Sequence, residues 1–567
     1  MKVLIVVFIN TFINTGLISG VSGVRTFRDI TYLINTGTIK STTTDENYAA
    51  IDIRSPNATP VNVQNLINTG SLNSQSQGIL IEARSSITNL YNNGTIKAQK
   101  DGITFISEGK TNNNNNIKIE NIILGKNSDI QATKNAINVD VIGDFSTQTS
   151  VSIGLINIQK GAKVSGGQAG IKIGQSQEAK NSNGTGKDNT VGQIIVAGEV
   201  KGGSEGGIVN EGTIKADANG KSRKRRSLDE SQQSEEENKA AILIKESGQI
   251  TSSNGYGIVN KAMIDGSIIS KSSSNISLDN QNGATISGGI TNSGSGTLML
   301  NNFGSIGTNT DGYNISNEGS GNINITSWTI RTGSNNKLQT LTVGGKSANS
   351  VMVGNLIVDQ GNLNMDELND IKNLVKGVSL NNIKKIKTNG GGEMILNYDA
   401  LSGKISTDFN LNASIIGASF RSLNASSIKR NAFIDGLMNN MNLSLTFNPN
   451  HFNLNTNLTF NEDNLYASIN DYIQSDIQTY THDNIKEHAL VILPYFSSQS
   501  VELSLNEKSK GHIKGNILAY STLKESGTYS FYAGYEDTKM NSYYFDVKNR
   551  TYYTGIKYFN TLFFYHK

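Results

Sequence analysis

The 567-residue chain contains no cysteine. That absence excludes a disulfide scaffold, thiolate zinc sites, iron–sulfur clusters and thiol catalysis. Proline occurs 4 times, tryptophan once and histidine 5 times, so a histidine-rich metal cluster is not expected, and no cofactor is. Charge is sparse as well: Asp, Glu, Lys and Arg make up 17% of the chain, against about 25% in ordinary domains. The 50 basic and 47 acidic side chains leave a net charge of +3. That balance predicts no polyanion footprint and no nucleic-acid partner. No segment approaches the ~20 consecutive apolar residues of a membrane helix, so any encounter with a bilayer is expected to run through strands. What fills the chain instead is Asn, Ser, Thr and 58 Gly, with 36% hydrophobic residues. This is the composition of a long, turn-rich all-β protein.

Self-similarity is the strongest positive signal. Ile34-Asn35-Thr36-Gly37-Thr38-Ile39 returns as Ile67-Asn68-Thr69-Gly70-Ser71-Leu72, Tyr91-Asn92-Asn93-Gly94-Thr95-Ile96 and Val209-Asn210-Glu211-Gly212-Thr213-Ile214. Looser copies stand at Val259–Ile264 and Asn301–Ile306. Between them lie the Gly-Ile steps Gly78-Ile79, Gly102-Ile103, Gly170-Ile171, Gly207-Ile208 and Gly257-Ile258. A motif returning every 20–35 residues or so marks a stacked repeat. Each copy reads as a short strand, a tight corner, and another strand with Ile or Val to one side. Glycine is expected to supply a positive φ at the corner. One coil buries nothing by itself; coils stacked about 4.8 Å apart place Ile over Ile. Asn at equivalent corners can form amide ladders. Residues 12–365 are therefore expected to form a right-handed parallel β-helix, the alternative being a disordered polar segment.

At the N-terminus, Lys2 and the apolar run Val3–Ile9 read either as a signal peptide over 1–23, with Val21-Ser22-Gly23 as the cleavage site, or as the first strand of the stack. Residues 221–239 carry Arg223-Lys224-Arg225-Arg226 followed by Glu235-Glu236-Glu237 and are expected to leave the solenoid as a solvated loop. Asn112–Asn116 reads as a second polar loop. Residues 366–412 are expected to cap the stack with a short helix and a closing β segment. Residues 413–443 hold apolar residues at steps of three to five, from Ile415 to Met438, and predict the best helix of the chain. It belongs to a linker over 413–487, where Ser468–Ile485 reads as another helix.

After Glu487 the text alternates and becomes aromatic. Strands are expected over Leu490–Phe496, Val501–Leu505, His512–Thr522, Tyr529–Tyr535, Tyr543–Val547 and Tyr552–Phe559. Ten-residue strands with one apolar, Tyr-rich face are the pattern of an outer-membrane barrel. The alternative is a soluble antiparallel sheet.

The Asn/Ser/Thr/Gly repeats, the helix bearing Arg430-Asn431-Ala432-Phe433-Ile434-Asp435, and Leu493-Pro494-Tyr495-Phe496-Ser497-Ser498 opening a β-module together resemble the type V secretion autotransporters, most closely those of ε-proteobacteria. The specific motifs lie within about 413–560. The resemblance implies a barrel inserted by the barrel-assembly machinery in the outer membrane, a helix in its pore, and a β-helical, pectin-lyase-like passenger displayed or released at the cell surface. Adhesion to host-surface glycans or proteins is the implied role. It also implies a twelve-stranded barrel, whereas 488–567 holds four to six strands and ends in His566-Lys567. The translocator is therefore expected to be truncated, unless another chain supplies strands.

Catalysis is not expected. Glycoside hydrolysis needs two carboxylates about 5–10 Å apart; stacked coils could join Asp29 to Asp52, or Asp265 to Asp279, as in a secreted polysaccharide lyase or glycosidase. Nothing in the sequence singles out either pair. No Gly-rich phosphate loop, calcium nonapeptide or nucleophile elbow occurs. Asn439-Asn440, late in the predicted helix, matches the dipeptide at which some autotransporters cleave by Asn cyclisation. A nonfunctional autotransporter fragment is the third reading.

Overall fold

The computed structural model describes residues 10–55, 59–107, 116–143, 149–176, 188–216, 235–331, 338–359, 368–388, 394–409, 411–446, 478–482, 485–504, 507–524, 526–541 and 546–559. The chain divides into two units. One comprises Met1–Val358, Asn364–Lys387 and Tyr398–Ile405; the other comprises Asp359–Leu363, Thr388–Asn397 and Ser406–Lys567.

In the first unit the chain repeats a circuit of three short strands. Thr11–Asn14 leads to Leu17–Gly20 and Val24–Thr26; Ile30–Asn35 leads to Thr38–Ser41 and Ala49–Ile53. Each strand pairs in parallel with its counterpart one coil later. Among the described residues three sheets result, of 17, 8 and 13 strands. This is an all-β stack of coils, consistent with a β-helix.

The register explains the Gly-Ile steps. In the third sheet Ile51, Ile79, Ile103, Ile137, Ile171, Ile208 and Ile258 stand directly above one another. The second sheet carries Ile39, Leu72, Ile96, Ile130, Val164, Val200 and Ile250 in one column. All are buried. Each such side chain stabilises the stack by about 1.5–3 kcal/mol relative to exposure, and only because a neighbouring coil covers it.

Asparagines line the corners as expected. Asn14, Asn35 and Asn68 each donate to the next amide, at 2.8, 2.7 and 2.6 Å, and Asn92 closes the ladder on Ser128 Oγ at 2.6 Å. These residues end strands of the first sheet. A second ladder, Asn210–Asn260–Asn280–Asn302, has spacings of 2.8, 2.8 and 2.7 Å, but its members end strands of the third sheet. The same motif thus changes corner partway along the stack. The corner glycines differ from expectation. Gly37, Gly70 and Gly94 are not among the residues with positive φ. Instead, a Cβ on Gly70 would overlap the Gly37 carbonyl oxygen, and one on Gly94 the Gly70 carbonyl oxygen. Glycine is required here by the close approach of successive backbones.

Several boundaries differ from the sequence reading. Thr11–Asn14 and Leu17–Gly20 are strands, and Gly23 N donates to Ala49 O at 3.2 Å, so cleavage at Val21-Ser22-Gly23 would cut the first coil; Val3–Ile9 lies outside the described residues. Residues 221–234 lie outside them too, as does 112–115. Glu235–Lys239, expected in a solvated loop, is a helical turn. Gln193 Nε2 donates to the carbonyls of Glu237 and Ala240 at 2.9 and 2.8 Å, which ties the turn to the first sheet. Residues 368–388 contain no α-helix: Ile371–Asn373 is a single 3-10 turn, while Val375–Lys376 and Ile383–Thr388 extend the first and third sheets. The apolar spacing there serves two more rungs.

Among its described residues the second unit holds one long helix, Leu411–Thr446, and a five-stranded antiparallel sheet in chain order: Gln478–His482, Ile485–Ser504, Glu507–Lys524, Gly527–Asn541 and Asp546–Phe559. The helix expected over Ser468–Ile485 is contradicted where it can be seen. Gln478–His482 is an edge strand, and 468–477 lies outside the described residues. The segments expected at 490–496 and 501–505 belong to one continuous strand as far as Ser504; 505 lies outside the described residues.

Candidate functional site

The chemistry-bearing residues of the second unit gather where the long helix lies on the sheet. One helix face presents Ile434, Leu437, Met438, Met441 and Leu445, which pack on Ala489, Val491, Leu493, Ile517 and Ala519. These strand residues alternate along Ile485–Ser504 and Glu507–Lys524, so they share one sheet face. The same face carries glycines opposite tyrosines. Tyr495 stands across from Gly515, Tyr553 from Gly534 and Tyr532 from Gly555, and a Cβ on any of these glycines would strike the tyrosine ring.

One helical turn before this apolar contact, Arg430 reaches the sheet. Its Nη1 lies 3.3 Å from Glu536 Oε1, and its guanidinium sits 5.6 Å from the Tyr553 ring centroid. Tyr495 Oη donates to Glu536 Oε2 at 2.9 Å and lies 3.2 Å from Tyr553 Oη. Phe433 packs on Tyr495 with ring centroids 4.7 Å apart. Asp435 pairs with Lys557. The structure therefore sets Arg430, Phe433 and Asp435 along the contact between the helix and the sheet. Asn439 is exposed, and the side chain of Asn440 lies outside the described residues. Glu536, Tyr553 and Lys557 were not anticipated. Their signal was positional, since all three share the strand parity of Tyr532 and Gly534.

The opposite sheet face is ordered differently. Across its strands run the rows Leu490–Tyr520–Phe531–Ile556 and Ile492–Leu518–Ala533–Thr554. Ile492, Leu518, Phe531 and Ile556 are exposed. Tyr529 and Tyr558 meet on one side of this band at 4.9 Å, and Tyr535 and Tyr552 on the other at 5.1 Å. Tyr535 stands six positions beyond Tyr529, about 20 Å along a strand. Beyond the second pair lies the charged row Lys514–Asp537–Arg550.

In the first unit the carboxylates considered for catalysis have other partners. Asp52 is buried between Arg25 and Arg54, both at 2.6 Å. Asp29 accepts from Asn62 N at 2.8 Å. Asp265 faces Lys215 and Ser287, and Asp279 accepts from Asn301 at 2.8 Å. Among the described residues no group of three His, Asp or Glu could hold a metal ion.

Asp101 is the carboxylate placed at a cost. It is buried, and burial pushes its carboxyl above the ordinary value although Asn135 and Asn138 donate to it. Such a group favours the folded state while protonated and loses that contribution as pH rises from about 4 through its raised value. Asp101→Asn should therefore melt at a higher temperature than the native chain at pH 7, with the gap closing below pH ~4. Rotation of the Asn138 amide, whose Oδ1 has no partner among the described residues, would accept from the new amide. Thermal melts of both chains across pH check this; a gap independent of pH would refute it.

Comparison with protein-family models, curated proteins and solved structures returned no match.

Proposed function

We propose that the chain is an autotransporter-type outer-membrane protein whose β-helical passenger is displayed for adhesion or host interaction. The observation that carries the reading is the two-sided sheet of the second unit. Its exposed apolar band, bracketed by tyrosine pairs, has the character of a lipid-facing wall, where aromatic girdles flank a band about 25 Å tall. Its other face, with glycine, paired ions and a seated helix, has the character of a barrel interior. A soluble sheet would leave that band in water, which is unfavourable for so large an apolar patch. The coil is taken as right-handed, because connections between parallel strands of one sheet wind that way. The stacked Asn and aliphatic ladders support a passenger built as a continuous stack of coils.

Five described strands leave two unpaired edges, which hydrocarbon does not tolerate. The reading therefore requires strands beyond the five described. Expressed with a secretory leader in a bacterium that has an outer membrane, the chain should fractionate with that membrane and migrate differently on gels when unheated. Added protease should then remove the first unit from intact cells. Recovery of the whole chain as a soluble periplasmic protein even when complementary strands are co-expressed would defeat the reading. If membrane insertion occurs only on co-expression of complementary strands, the translocator is a split one.

A further inference from the structure

A whole-chain charge of +3 hides a local asymmetry. In the strands of the second sheet from Thr38 to Ser252, the side chains that do not enter the core form two outward columns. One runs Thr38, Ser71, Thr95, Asp129, Lys163, Glu199 and Gln249; the other runs Lys40, Asn73, Lys97, Gln131, Ser165, Lys201 and Thr251. Every one of these positions is polar, with four lysines against two carboxylates. Lys40, Lys97, Lys163 and Lys201 are exposed, and none has an ion-pair partner among the described residues. By contrast Lys100 and Lys134, at the adjoining corner, both pair with Glu46 at 2.9 and 3.0 Å.

We infer that this face binds a linear anionic polysaccharide laid along the stack. The inference deepens the display reading by naming the ligand class, and it rests on that reading for its setting. The rungs rise about 4.8 Å each. Lys40 and Lys97 are two rungs apart in one column, and Lys201 is three rungs beyond Lys97. Between the lysines stand Asn73, Gln131, Ser165 and Thr95, which offer hydrogen bonds to hydroxyls, while Asp129 and Glu199 occupy the rungs on either side of Lys163. A flat strip of cations spaced at multiples of one rung, with amides and hydroxyls between, complements a chain whose anionic groups recur along its length. From the rung of Thr38 onward the columns carry no aromatic to stack on bases and no aliphatic to enter a lipid surface, the exposed Leu17 standing alone on the rung before. That separates the ligand from single-stranded nucleic acid and from membranes, which use such side chains.

The test uses the purified full chain in detergent with heparin, polygalacturonate, neutral dextran and duplex DNA as probes, at about 50 mM salt so that screening is weak. Heparin, polygalacturonate or both should bind, and dextran should not. Binding of heparin alone assigns the anion as sulfate, and of polygalacturonate alone as uronate carboxylate. The K40Q/K97Q/K163Q/K201Q variant should lose affinity about tenfold or more. The charge-matched K346Q/K372Q/K384Q/K385Q variant should keep it, with both variants melting as the native chain does. Absence of binding, an equal loss in both variants, or DNA binding as tight as that of the glycan would overturn the inference. Because binding is measured on purified protein, failure here is distinct from failure of membrane localisation.

Discussion

Asn68→Ala should destabilise the stack by about 2–5 kcal/mol, although it removes only a small uncharged side chain. The Asn68 amide accepts from Asn35 at 2.7 Å and donates to Asn92 at 2.6 Å, and it is fully buried. Truncation leaves the Asn92 oxygen and an Asn35 proton without these partners where water does not reach. Each orphaned group costs about 1–3 kcal/mol. Asn68→Asp should be worse, since it sets a carboxylate oxygen against the Asn92 oxygen and buries a charge. Asn73→Ala, on the outward face one strand later, should stay within about 0.5 kcal/mol. Because each coil contacts only its neighbours, the effect belongs to the coils flanking residue 68. Hydrogen exchange of the strands at 30–41, 61–74 and 85–98 would localise it, and denaturant melts would size it. Equal costs at Asn68 and Asn73 would show that the ladder contributes nothing beyond surface asparagine.

The legibility of this fold follows from the same stacking. A parallel, in-register coil copies one side chain type at one place in every turn, so Ile79, Ile103, Ile171, Ile208 and Ile258 were visible as a series before their column was known. The change of corner at Asn210 was not visible. Its local chemistry, Asn before a Gly-Thr corner, is identical at either corner, and the assignment depends on how much chain closes each circuit. The role of Gly37, Gly70 and Gly94 was misjudged for a related reason. A sequence shows that a side chain is missing, not whether dihedral freedom or an approaching carbonyl demands it. In the second unit the helix was readable from apolar spacing and the sheet from alternation. Glu536 was not, because a charged residue on an inward face looks like any solvated one until the helix supplies Arg430.

That pairing sets the second large effect. Glu536→Ala should cost about 3–5 kcal/mol, because it leaves the Arg430 guanidinium largely buried without its counter-charge. Glu536 is fully buried, and it also accepts from Tyr495 and Thr538, at 2.9 and 3.2 Å, so three donors lose a partner together. Arg430→Met should cost a similar amount for the mirror reason. The double variant R430M/E536L should cost clearly less than the sum, since two apolar side chains can meet where two charges did. The loss should appear first as release of the helix. Trypsin added to the detergent-solubilised full chain should cut after Lys429 faster in Glu536→Ala than in the native protein, and about as slowly in the double variant as in the native protein. Asp435→Ala should change little, because its contact with Lys557 is exposed and exposed pairs are worth at most about 1 kcal/mol. Additive costs in the cycle would mean that the helix is held by Ile434, Leu437, Met438 and Met441 alone, with the ion pair a passenger on an apolar seam.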